Sequence, residues 1–108
     1  MAGIQNLVID QGTTFDITIN VTLDDGSEKD LTDYTVSSQI RKSYYTNTYT
    51  AFTTSKQNLL GEITLSLTPT QTSALKAGRY VYDLEIASED ETVRIMEGIV
   101  TVTPEVTR

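Results

Sequence analysis

The sequence predicts an all-β fold: two antiparallel sheets packed face to face, joined in one place by a short helical turn. Three observations carry this. Apolar residues alternate with polar ones in several separate stretches, the period of a half-buried strand. Turn residues punctuate those stretches at short intervals, as in all-β domains. The run Gly61 to Ile86, GEITLSLTPTQTSALKAGRYVYDLEI, then shows how one sheet hands over to the other.

Along the chain, Asn6 to Asp10 reads as a short edge strand, and Gln11-Gly12 as a bulge or turn after it. Thr13 to Leu23 is the first strong strand. Phe15, Ile17, Ile19, Val21 and Leu23 point one way, and Thr14, Asp16, Thr18, Asn20 and Thr22 the other. Asp24-Asp25-Gly26-Ser27 signals a hairpin, with Glu28 to Thr32 returning as a brief strand. Asp33-Tyr34 makes a corner. Thr35 to Arg41 follows as a strand with Val36, Ser38 and Ile40 inward. Lys42 to Asn47 reads as a loop or a ragged edge, Tyr49 to Thr54 as a weakly amphipathic strand and Ser55 to Leu60 as a connection.

Ile63, Leu65 and Leu67 alternate again. Thr68 then supplies an N-cap, Pro69 a first helical residue and Gln71 the reciprocal capping partner. Gly78 is expected to stop this helix. Tyr80, Tyr82, Leu84 and Ile86 alternate on the next strand, Ser88-Glu89-Asp90-Glu91 turns, and Thr92 to Val102 is the last strand. Gly98 is its expected bulge and Pro104 its end. Seven or eight short strands spaced this way fit an immunoglobulin-like sandwich occupying 1–108 as one domain. In such folds a tyrosine opening the sixth strand bonds back across the corner, two residues before a core position. Gly78, Tyr80 and Tyr82 would be that structural corner; the plainer alternative is two ordinary strand tyrosines.

Composition removes whole classes of chemistry. The chain has no His and no Cys. It therefore has no imidazole base, no thiolate, no disulfide and no Ser-His-Asp set. Catalytic residues, cofactors and metal ligands are all expected to be none. The net charge is −7 and the eight basic residues are scattered, which argues against nucleic acid as a partner. No apolar run approaches the ~18 residues of a membrane span. The N-terminus lacks the basic and apolar regions of a secretory signal. That predicts a chain remaining in the cytoplasm where it is made, or one already mature.

Three segments are candidates for binding. Asp24-Asp25-Gly26-Ser27-Glu28 with Asp30 is rich in oxygen ligands. A solvated hairpin tip accounts for it, and a calcium site is the sharper alternative, without EF-hand spacing. Glu89-Asp90-Glu91 reads as a soluble turn. Ser43 to Thr50 holds Tyr44, Tyr45 and Tyr49, half of the six tyrosines, among Ser, Thr and Asn. Exposed tyrosine offers rigid amphipathic area and small polar residues adapt to a partner. The segment is either a contact surface, for a neighbouring subunit or a glycan, or an edge whose tyrosines pack onto the sandwich.

Several stretches resemble a family of small tailed-bacteriophage virion proteins. They are Gly12-Thr13-Thr14-Phe15, Asp30-Leu31-Thr32-Asp33-Tyr34-Thr35, Gln39-Ile40-Arg41, Ile63-Thr64-Leu65-Ser66-Leu67, Ala77-Gly78-Arg79-Tyr80-Val81-Tyr82-Asp83-Leu84, Glu97-Gly98-Ile99-Val100-Thr101-Val102 and Pro104-Glu105-Val106-Thr107-Arg108. Similar domains open the upper baseplate proteins of some siphophages, and short versions occur in marine cyanophages. The resemblance spans nearly the whole chain, with AGRYVYDL and the PEVTR end its most specific parts. It implies an immunoglobulin-like sandwich and a structural role, and brings no catalytic motif. Baseplate relatives continue into a stalk, so a single sandwich fits a decoration or accessory subunit better than a long adaptor. The expectation is a non-enzymatic virion protein, assembled in the host cytoplasm. It would dock on the head or tail lattice through edge strands: Asn6, Leu7 and Val8 at one edge, Tyr44, Tyr45 and Tyr49 at another. Expected partners are other virion proteins and further copies of the chain, with no nucleic acid and no membrane. The alternative is a host-surface recognition module, adhesin-like, of a tail fibre or baseplate.

Overall fold

The computed structural model describes residues 3–23 and 25–106. Its strands are β1 (Gly3–Ile4), β2 (Leu7–Asp10), β3 (Phe15–Asn20), β4 (Thr35–Arg41), β5 (Tyr49–Ala51), β6 (Thr53–Gln57), β7 (Glu62–Leu67), β8 (Gly78–Ala87) and β9 (Thr92–Thr103). A 3-10 turn over Asn58–Leu60 precedes β7, and a helix α1 (Pro69–Ser73) follows it. One sheet runs β1-β9-β8-β4-β5, with β2 also on β9; the other runs β3-β7-β6. The fold is an immunoglobulin-like β-sandwich.

The core lies between the sheets. Ile9, Ile63, Leu65, Leu84, Ile86 and Val100 are fully enclosed. Burying each such side chain contributes about 1.5–3 kcal/mol. The corner forms because local signals agree. Thr68 Oγ1 accepts from the Gln71 N–H at 3.2 Å, and Gln71 Oε1 accepts from the Thr68 N–H at 2.9 Å. Thr72, buried on α1, donates to the Thr13 carbonyl at 2.8 Å and ties the turn to the segment that leads into β3. Tyr80 Oη donates to the Lys76 carbonyl at 2.7 Å, and Tyr82 is 2% exposed. Tyr80 thus bonds back to the backbone just before β8, while Tyr82 fills a core position two residues on.

Several expectations need correction. Among the described residues there are nine strands, against seven or eight expected, because one predicted strand divides and β1 lies ahead of the predicted Asn6 to Asp10. Tyr49 to Thr54 breaks at Phe52, which turns into the core at 5% exposure and carries the chain from one sheet to the other. At the N-terminus the predicted strand forms as β2, and β1 precedes it across Gln5-Asn6; both pair with β9 in parallel. The first long strand ends at Asn20, leaving Leu23 46% exposed. Glu28 to Thr32 forms no strand, only a bridge between Thr22 and Glu28; the Leu31 N–H bonds instead to the Asn58 carbonyl. The hairpin before it closes with the Gly26 N–H on the Leu23 carbonyl at 2.9 Å, and Asp24 lies outside the described residues.

Gly78 does not stop α1. The helix ends at Ser73, after which Leu75 turns inward to 5% exposure. Gly78 instead opens β8 at φ +142°, where residues with side chains rarely sit. Gly98 is not the bulge either. The register slips at Ile95, since Leu84 pairs with Met96 and Glu85 with Arg94. Gly98 is required by a close approach: any Cβ there would overlap the Gln5 carbonyl, where the N-terminal segment crosses β9.

Candidate functional site

The predicted site residues fall on two edges of the larger sheet. Tyr44 and Tyr45 sit on the β4–β5 connection and Tyr49 opens β5, at 66%, 95% and 51% exposure. Arg41, last on β4, organises that connection. Its guanidinium donates to the Thr46 carbonyl at 2.6 Å and to Gln39 Oε1 at 2.8 Å, and it lies 5.0 Å from the centre of the Tyr49 ring. A fixed arginine stacked on an exposed aromatic is a common element of contact surfaces.

Tyr44 also walls one end of a shallow groove of about 340 Å³ on the outer face of that sheet. Strand register builds its floor. Gln39 opposes Asp83, Asp83 opposes Glu97, and Glu85 opposes Arg94. Arg94 bridges the two carboxylates, with Nε 3.5 Å from Asp83 and Nη1 3.8 Å from Glu97. The groove thus offers guanidinium, carboxylate, amide and aromatic groups together. Sequence reasoning missed it. The outward alternation of Asp83 and Glu85 was visible, but their meeting with Gln39, Arg94 and Glu97 depends on strand order.

At the other edge the predicted trio divides. Val8 is 62% exposed on the outer face. Asn6 is held, its Oδ1 accepting from the Ile99 N–H at 3.1 Å. Leu7 faces the core at 6% exposure, so only its backbone can meet a partner. Ile4, Val8 and Ile99 form an exposed apolar strip across β1, β2 and β9.

The remaining tyrosines are internal ties. Tyr82 Oη donates to the Gln5 carbonyl at 2.6 Å, and its ring stands edge-on to Phe52 with centroids 6.3 Å apart. Burial pushes its hydroxyl up to about 12. Tyr34 donates to the Glu91 carboxylate, and Tyr80 closes the corner.

The acidic turns are satisfied internally. Asp25 accepts from the Ser27 hydroxyl and N–H, and Asp30 from the Thr32 hydroxyl and N–H. These bonds hold both carboxyls below their ordinary range. Among the described residues, no three of the acidic side chains converge as a metal site would need.

No family model matches the chain, and neither does any curated protein. Solved structures do resemble it. The crystal structure of InlP from Listeria monocytogenes matches over 92% of this chain and 26% of that one, at 17% identity and a TM-score of 0.51. A family 123 glycoside hydrolase from Clostridium perfringens matches over 98% and 24%, at 13% identity and a TM-score of 0.49. The chain spans about a quarter of the length of either. At this identity the likeness to InlP concerns the fold alone, a β-sandwich that matches part of a longer chain.

Proposed function

We propose that this chain is a non-enzymatic structural protein of a bacteriophage virion that docks on other virion proteins. The observation that carries this is the β4–β5 connection. Three exposed tyrosines stand at a sheet edge, two on a loop that Arg41 has already ordered and one on β5 beneath its guanidinium. A surface ordered before contact loses little side-chain freedom on binding. The family resemblance of the AGRYVYDL and PEVTR stretches supplies the virion. Shallow polar contacts are weak singly, and repetition over a lattice strengthens them through avidity. Mass spectrometry of purified particles of the encoding phage should find the polypeptide at fixed stoichiometry. Its absence from particles removes the reading.

A second reading, recognition of a host surface, is favoured by the groove beside Tyr44. Sugars are held by aromatic faces together with amide, carboxylate and guanidinium side chains, and Gln39, Asp83, Glu85 and Arg94 supply that set. It predicts binding of the isolated protein to host cells, lost in a Tyr44→Ala/Arg94→Ala double variant. No binding by the unaltered protein excludes it.

A further inference from the structure

The two sheets present four outer edges, and three are blunted. β5 is only three residues long before the chain leaves at Phe52. β1 and β2 are interrupted at Gln5-Asn6. β6 carries an inward lysine: Lys56 Nζ reaches the Leu31 and Tyr34 carbonyls, each at 2.7 Å. Short strands, breaks and inward charges are the ways proteins keep an edge from pairing with another chain.

β3 has none of these. It is six residues long, unbroken, without Pro or Lys, and among the described residues it pairs only with β7. Phe15, Ile17 and Ile19 face inward yet remain half-buried, whereas Ile63, Leu65 and Leu67 beside them on β7 are sealed. An unblunted strand edge beside half-covered apolar side chains has room for one more strand with an apolar residue at every second position.

We infer that a second copy of this chain fills that place, β3 pairing antiparallel with its own counterpart about a two-fold axis. The sequence is self-complementary for it. Residues directly opposite must share a face, so the axis passes through a residue, Ile17 or Thr18. With Ile17 on the axis, Phe15 meets Ile19 of the other copy and Asp16 meets Thr18. With Thr18 on the axis, Ile17 meets Ile19 and Asp16 meets Asn20. Both registers bury apolar residues against each other, and neither sets like charges opposite. The two three-stranded sheets then join into one of six strands. Such a contact is isologous and closed, so it ends at the dimer. It does not depend on the virion reading.

Sedimentation velocity should show a concentration-dependent species of twice the monomer mass. Thr18→Asp tests it on an exposed face. In either register the new carboxylate meets a carboxylate of the other copy, either Asp16 or itself. The dissociation constant should rise at least about tenfold and recover partly at high salt. The chain has no cysteine, so single cysteines report position cleanly. Ile17→Cys or Thr18→Cys should give a disulfide-linked dimer on oxidation, while Thr50→Cys on β5 and Ser55→Cys on β6 stay monomeric. A protein that is monomeric at every concentration overturns the inference and leaves the edge to a strand of another protein. Cross-linking through β5 or β6, or a dimer indifferent to Thr18→Asp, overturns it equally. Absence from virions would leave it standing.

Discussion

Half of the six tyrosines are used inside the fold and half outside it. Tyr34, Tyr80 and Tyr82 each end in a hydroxyl bonded to another part of the chain. Tyr44 and Tyr45 on one loop, and Tyr49 at the start of β5, stand exposed. The same side chain is a tie in one setting and a contact surface in the other. What separates them is strand phase. Tyr82 occupies an inward position of a central strand, so its ring fills core volume and its oxygen must find a partner. The outer three sit where the sheet has run out.

The contrast can be broken most directly at Tyr82. Tyr82→Ala should destabilise by about 3–5 kcal/mol, because it leaves a cavity beside Phe52 and frees the Gln5 crossing. Urea denaturation reads this, and a loss under about 1 kcal/mol would remove the distinction. The hydroxyl can be tested without touching the ring. Its folded value is raised to about 12 from 10.0. Between those pH values the unfolded chain has lost this proton and the folded chain keeps it. Stability is therefore intact below pH 10.0, falls as pH rises toward 12, and that part of the fall disappears in Tyr82→Phe. Absorbance of the phenolate gives the same titration. Tyr80→Phe removes one hydrogen bond at the corner and should cost about 1 kcal/mol. Replacing Tyr44, Tyr45 and Tyr49 together by Ala should shift stability by no more than about 0.5 kcal/mol per site, while weakening attachment to purified virions lacking the protein. If that triple variant unfolds, the outer tyrosines are ties as well.

The corner could be read from sequence because its signals are local. Thr68, Pro69 and Gln71 specify the cap, and alternation on each side specifies the strands. The division at Phe52 could not be, since no Gly or Pro marks it; only the pull of a phenylalanine into the core shifts the chain between sheets. Gly98 serves a close approach and not a bulge. A glycine records that something needs space, and what needs it here is Gln5, far away in the chain. The groove was hidden for a related cause. Its residues come from β4, β8 and β9 and meet only through pairing that no single stretch encodes. The exposed tyrosines were visible as a cluster, whereas the burial of Leu7 followed from a parallel partner that local pattern could not name.

The parallel pairing of β2 with β9 has a mechanical consequence. Leu7 to Asp10 run alongside Val100 to Thr103 in the same direction. A tension applied backward at Gly3 and forward at Thr103 drags the two strands past each other along their length. Their hydrogen bonds are then strained together in shear, rather than opened one after another like a zip. A molecule gripped at those two points resists stretching with all of that ladder at once.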